Sequence, residues 1–259
     1  METLRFREEG SVAVVELHRP EAMNAITEEM LTELRDLCAA LDGRSDLRAV
    51  VLAGGEQVFC AGADLKDQAP RLADLTPSQM WERLRATVTT FDAIATLPQP
   101  TVAAISGFAL GGGLELALAC DLRVAAPTAR FGLPEAKVGM MPAAGGTQRL
   151  PRIVGAARAA ELMYTGAIID AARAAEIGLV NVVDEDWLGA AVSLGQTIAA
   201  SSPVAVRLVK EVMWRGLDAS LETGLRMEMA AVAVLFSTDD RREGLAAFLE
   251  KRPPAWQGR

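Results

Sequence analysis

The segment Ile105 to Asp121, ISGFALGGGLELALACD, constrains this chain more than any other. It reads as an apolar strand, a turn, three consecutive glycines, and then a helix with Leu114, Leu118 and the alanines packed inward. Three glycines let a backbone approach a ligand closely, and the free amides at a helix start can hydrogen-bond an oxygen that becomes negative. That is half of an oxyanion hole, although a glycine run taken alone is more often a tight turn than a site. The segment is neither GxGxxG followed by an acidic ribose reader nor GxxxxGK[ST], so it carries no nucleotide-cofactor fingerprint.

Glu115 is the only charge between Phe108 and Cys120. Burying a carboxylate without a partner costs on the order of several kcal/mol, so this one calls for a salt bridge or a function. Glu135 lies 20 residues later in FGLPEAKVG, directly after Pro134. Two carboxylates in different environments can divide base and acid work at neutral pH. Spacing alone leaves two surface glutamates at helix starts as an open alternative. A second candidate amide lies in VFCAGADLKD, residues 58–67, where a strand ends in Ala61-Gly62-Ala63 and a helix is expected from about Asp64. An N–H at Ala63 together with one at Gly112 would give a carbonyl oxygen two donors.

Composition narrows the alternatives. About half of the 259 residues are hydrophobic, enough for a substantial core, yet the apolar runs are interrupted before the ~18 residues that a membrane span needs. METLRFREEG has neither a secretory apolar core nor the acid-poor character of a transit peptide, which places the protein in a cytoplasm. A net charge of −8 opposes general attraction to nucleic acid or anionic lipid, so neither is expected as a partner. Cys38, Cys60 and Cys120 are odd in number and widely spaced, giving neither a disulfide framework nor a thiolate metal site. His18, the single histidine, ends a strand-like run. With no GxSxG elbow beside it, it reads as structural or solvent-facing rather than as part of a nucleophilic triad.

The periodicities predict an α/β chain. Strands are expected at Val12–Leu17, Ala49–Ala53, Thr101–Ser106, Leu122–Ala126 and near Leu179–Val183, with helices over Thr27–Leu41 and Ser78–Leu97. Thr27 and Thr238 are candidate N-caps. After Trp187 the pattern becomes helix upon helix: Leu188–Ala200, Val204–Arg215, Leu221–Phe236 and Asp239–Glu250, the last stopped by Pro253-Pro254. The change near residue 190 is one of class, without a low-complexity linker.

Taken in order, RPEAMNAI (19–26), FCAGADLK (59–66), GFALGGGLELALACDLRVA (107–125), FGLPEAKVGMMPAAGGTQRLPRIVG (131–155) and DDRREGLAAFLEKRPP (239–254) resemble the enoyl-CoA hydratase (crotonase) family over nearly the whole chain. The central region is most similar to hydratases, including those of the methylglutaconyl-CoA type. The resemblance implies an α/β crotonase (ClpP-like) spiral of ββα units over residues 1–190, holding the acyl-CoA site. It implies a helical oligomerisation region over 191–259, giving homotrimers or stacked pairs of trimers. It also implies hydration of a trans-2-enoyl-CoA to a 3-hydroxyacyl-CoA, with CoA entering only as part of the substrate and no metal or separate cofactor.

Carried over residue by residue, the family pattern makes the amides of Ala63 and Gly112 the oxyanion hole, Glu115 the group that activates water and Glu135 the proton donor to C2. It implies substrate or CoA contacts from Glu21, Ala22, Met23, Ala61, Asp64, Leu65, Lys66, Gly111, Pro134 and Ala143. Lys251 is implied to approach the CoA phosphate from a neighbouring subunit. Ala143 departs from the glycine usual after Pro142, adding a methyl near the reacting carbons. Double-bond isomerisation and thioester hydrolysis are the alternative reactions of this fold, and a non-catalytic CoA- or RNA-binding protein is a third reading. Glu115 argues against an isomerase, and the absence of an aromatic-rich basic stripe argues against RNA.

Overall fold

The computed structural model describes residues 1–64 and 75–259. β1 (Leu4–Glu9) and β2 (Val12–Leu17) form an antiparallel hairpin, after which the chain adopts a repeating course. β3 (Ala49–Ala53), β5 (Thr101–Ile105) and β7 (Leu122–Ala125) lie parallel in one sheet. The short strand that follows each of them, β4 (Val58–Cys60), β6 (Phe108–Leu110) and β8 (Arg130–Gly132), lies parallel to its equivalents in a second sheet. Each turn of the chain thus adds one strand to both sheets, which makes the path a spiral. With β9 (Ile168–Asp170) and β10 (Val182–Val183), the sheet orders are β1-β2-β3-β5-β7-β10 and β4-β6-β8-β9.

Strand alternation explains how the larger sheet buries both faces. Val12 and Val14, Ala49 and Val51, and Val102 and Ala104 face one apolar cluster. Their neighbours Ala13 and Val15, Val50 and Leu52, and Ala103 and Ile105 face the other and larger one. A strand buried on both faces reads as a continuous apolar run, as VAVV and AVVLA do.

The helices that shape the site are α1 (Glu28–Asp42), α2 (Pro77–Ala95) and α3 (Gly112–Leu118). Thr27 caps α1 by accepting from the Met30 N–H, as its sequence suggests. Thr76 and Gln79 close α2 with a capping box. α4 (Gly146–Val154), α5 (Ala156–Thr165) and α6 (Ala171–Glu176) follow β8 and β9. α7 (Trp187–Ala199) lies on the six-stranded sheet, with Ala191 and Val192 buried against Val12, Ala49 and Val102. Residue 190 therefore falls inside a helix that belongs to the core.

α8 (Pro203–Leu217), α9 (Leu221–Leu235) and α10 (Asp239–Glu250) complete the chain, and Thr238 caps α10 through the Arg241 N–H. The three cysteines are buried, and desolvation pushes the Cys60 and Cys120 thiols up to about 12. His18 Nε2 sits 2.7 Å from the Arg5 guanidinium, away from the site described next. Among the described residues no helix is long and apolar enough to cross a membrane.

Candidate active site

Strands β4, β6 and β8 each run out into a segment that lines one cavity of about 580 Å³, a size suited to a small-molecule site. After β4 come Ala61, Gly62 and Ala63; after β6 come Gly111, Gly112 and, one helical turn on, Glu115; after β8 come Pro134 and Glu135. The first two segments are in close register. A methyl built on Gly62 would stand 3.2 Å from the Gly112 nitrogen, and one on Gly112 would stand 3.8 Å from the Ala63 nitrogen. Ile26 fixes the first segment, donating to the Gly62 carbonyl at 2.8 Å and accepting from the Asp64 N–H at 3.4 Å.

Two amides are left to the cavity. The Ala63 N–H has no acceptor among the described residues. Gly112 occupies the first position of α3, where an N–H has no partner within the helix. The helix start is pressed against β4 so tightly that a methyl on Gly113 would stand 2.0 Å from the Cys60 carbonyl oxygen, so only glycine serves there.

Glu115 is 3% exposed and does find partners: its Oε1 accepts from the Ala144 and Gly146 N–H groups, both at 2.8 Å. Burial raises its pKa above the usual carboxylate range, opposed by these two amides and by the positive charge of Arg149. Glu135 opens a short 3-10 helix, Glu135–Val138. It is half-buried rather than a surface residue, and its Oε2 is buried without a hydrogen-bond partner among the described residues. Burial, joined by repulsion from Glu115, raises its pKa to about 7. The two glutamates are therefore coupled across the cavity, and their surroundings differ. Glu115 has donors that favour the ionised form, whereas Glu135 has an orphaned oxygen that favours the neutral acid.

The other sequence expectations divide in three. Ala61, Gly111, Pro134 and Ala143 line the cavity together with the four residues above. Glu21 and Ala22 belong to a 3-10 turn, Pro20–Ala22, that Met23 caps in left-handed backbone, and the Met23 carbonyl accepts from the Ala61 N–H at 3.1 Å, so this turn flanks the cavity without lining it. Asp64 is also outside the lining and pairs with Arg19 at 3.5 Å. Leu65 and Lys66 lie outside the described residues, as does the helix expected from Asp64 onward. Lys251 is the exposed left-handed cap of α10 and does not reach the cavity within one chain.

Sequence reading missed several contributors. The Ala144 and Gly146 amides that hold Glu115 come from a loop about 30 residues away, and the only local signal was the Gly145-Gly146 pair after Pro142. Met80, Leu84 and Thr87 on α2, with Val138, Met140 and Met141, supply much of the apolar wall. The helix of α2 was expected from the sequence, but not what its apolar face covers.

Paired backbone donors and two unlike carboxylates, set at the strand ends of a double-sheet spiral, define an enzyme of the crotonase type. The chain belongs to the enoyl-CoA hydratase/isomerase family, whose model matches residues 7–259. It is 46% identical to YngF of Bacillus subtilis over 250 residues, covering 95% of each protein. It is 40% identical over 256 residues to a short-chain-enoyl-CoA hydratase of Clostridium acetobutylicum, covering 95% of this chain and 94% of the relative. An enoyl-CoA hydratase structure from Bacillus anthracis superimposes with a TM-score of 0.95 at 41% identity, covering 99% of this chain and all of that one.

Proposed function

We propose that this protein is an enoyl-CoA hydratase, adding water across C2=C3 of a trans-2-enoyl-CoA to give a 3-hydroxyacyl-CoA. The observation that carries this reading is the convergence of Glu115, whose Oε1 accepts from two amides, and Glu135, whose Oε2 is buried without a partner among the described residues, on the cavity that receives the Ala63 and Gly112 N–H groups.

The thioester oxygen accepts from the Ala63 and Gly112 amides, which polarise the conjugated system toward C3. Glu115 takes a proton from water as the water oxygen bonds to C3. The C2=C3 pair moves toward the carbonyl, whose developing charge the two amides stabilise without reorganising. Glu135 delivers its proton to C2. Water supplies both the hydroxyl and, through proton exchange between the carboxyls and solvent, the hydrogen at C2. Two carboxyls and two amides supply acid, base and charge stabilisation, so the reaction needs no metal and no cofactor beyond the CoA carried by the substrate.

Mixing the protein with crotonyl-CoA should abolish the conjugated-enoyl absorbance. Glu115→Gln and Glu135→Gln should each lower kcat by about 10²–10⁴-fold with the fold retained. Full activity in either variant overturns the role given to that residue. A product of unchanged mass would instead indicate isomerisation.

The family resemblance supports a homotrimer or a pair of stacked trimers, with Lys251 completing a neighbour's CoA site, and the character of METLRFREEG supports a cytoplasmic location. Apolar side chains left exposed on the last three helices, among them Val209, Leu217, Leu221, Met229 and Phe248, are consistent with burial between copies. Sedimentation that gives a stable monomer at micromolar concentration would refute the assembly.

A further inference from the structure

Arg149 sits on α4 outside the cavity lining, yet its side chain makes two directed contacts beside Glu115. One guanidinium nitrogen, Nη1, donates to the Ala144 carbonyl at 3.0 Å. The other, Nη2, pairs with Asp92 on α2. The peptide on the other side of Ala144 carries the N–H that donates to Glu115 Oε1, and the Gly146 N–H donates to the same oxygen. The loop is shaped around the guanidinium: Gly145 adopts φ 113°, and a methyl on it would stand 2.1 Å from Arg149 Nη1. The Arg149 N–H also donates to the Gly145 carbonyl at 2.7 Å, closing the turn from below.

We infer that Arg149 is a positioning residue for the water-activating carboxylate: by gripping the Ala144 carbonyl and anchoring on Asp92, it holds the 144–146 loop so that two N–H groups converge on Glu115 Oε1.

The arrangement has a specific consequence. With Oε1 occupied by two loop amides, Glu115 is clamped through one oxygen and has Oε2 available for water. Without the guanidinium, the Ala144 peptide is free to rotate, and the carboxylate loses the donors that fix its rotamer. A planar fork can hold a carbonyl and a carboxylate at once, which an ammonium on a flexible stem does less well. Asp92 lies on α2, the helix that supplies Met80, Leu84 and Thr87 to the acyl wall, so the same pair ties the wall to the base.

The inference rests on the hydratase reading for its role but not for its geometry, and the experiment separates the two. Arg149→Met, Arg149→Lys and Asp92→Asn are compared with the wild-type protein in crotonyl-CoA hydration across pH, and the Arg149→Met crystal structure is determined. Misplacing a catalytic group by about 1 Å costs about 10²-fold, so Arg149→Met should lower kcat by about 100-fold, with KM within about threefold of wild type. Its acid limb in kcat/KM should move to higher pH, because a positive charge that favours the Glu115 carboxylate has gone.

Arg149→Lys should keep the acid limb in place while kcat stays about tenfold low, separating charge from geometry. Asp92→Asn, on an exposed residue, should lower kcat by about threefold in the same sense. Should Arg149→Met not fold, the lysine and asparagine variants carry the same readouts. In the crystal structure the Ala144 N–H should no longer reach Glu115. Both loop bonds retained in that structure, or a kcat within about twofold of wild type with an unmoved acid limb, would overturn the inference. A wild-type protein that hydrates no enoyl-CoA overturns the hydratase reading instead, and the crystal structure then decides the Arg149 placement by itself.

Discussion

Lys210 on α8 places its ammonium 2.8 Å from Asp121 Oδ2, just beyond the end of α3, in a pair whose side chains are about a tenth exposed. The same carboxylate accepts from the Thr101 N–H and hydroxyl and from Trp214 Nε1, so one aspartate joins β5, α3 and α8. Removing one partner of a buried ion pair leaves the other uncompensated, at a cost of about 3–5 kcal/mol. Asp121→Ala should therefore lower unfolding stability by about that amount, measured by urea denaturation at fixed protein concentration. A loss below about 1 kcal/mol would show that α8 docks by apolar contact alone.

Glu135 gives the activity an alkaline boundary. Its carboxyl must be protonated to act as an acid, and its pKa is raised to about 7. The rate should accordingly decline as pH rises through about 7 in kcat/KM profiles of the free enzyme. Stability follows the same group. A carboxyl whose pKa is raised on folding contributes stability that is complete below the ordinary value of 4.5 and is lost as pH rises through about 7. Glu135→Gln should flatten the fall in melting temperature across that interval, and an unchanged slope would assign the fall to other groups.

The Gly112 amide can be deleted without deleting the helix. Proline is accommodated at the first position of a helix, where its missing N–H is not needed within the helix. Gly112→Pro places new atoms near the mobile end of Ile26, whose Cδ1 is 3.1 Å from a Cβ built there. Loss of one oxyanion donor should lower kcat by about 10²–10³-fold, with the circular dichroism spectrum retained. Wild-type turnover would remove Gly112 from the oxyanion hole.

Ala143 adds a methyl to the cavity wall next to the loop that holds Glu115. One methyl in an apolar pocket is worth about 10–200-fold in discrimination. Ala143→Gly should therefore raise kcat/KM for 3-methylcrotonyl-CoA relative to crotonyl-CoA by about tenfold or more. An unchanged ratio would mean that the methyl points away from C3.

How much could be read in advance varies with the range of the forces involved. The limits of α10, from the Thr238 cap to the stop before Pro253-Pro254, follow from local chemistry and agree with the structure. β2 and β3 likewise follow from unbroken apolar runs. β4 was read as the strand that ends before Ala61-Gly62-Ala63, whereas β6, β8 and β9, three residues each, were not legible, because pairing with neighbours rather than propensity makes them strands. β1 was hidden by its four charges, and α4 by Pro151 within it. Glu115 stood out because a lone charge in an apolar helix is a local anomaly. The clamp around it was invisible, since Ala144, Gly146 and Arg149 meet Glu115 only after β8 and α4 are in place.

The spiral has a further consequence for how such a catalyst tolerates change. Ala63, Gly112 and Glu135 follow equivalent strands of three successive turns, so their separations derive from the repeat of hydrogen-bonded strands, about 4.8 Å, and not from packing of side chains. The gauge that grips a thioester is thus written in the backbone. The side chains of α2 and of residues 138–143 can drift to accept other acyl groups while that gauge stays calibrated.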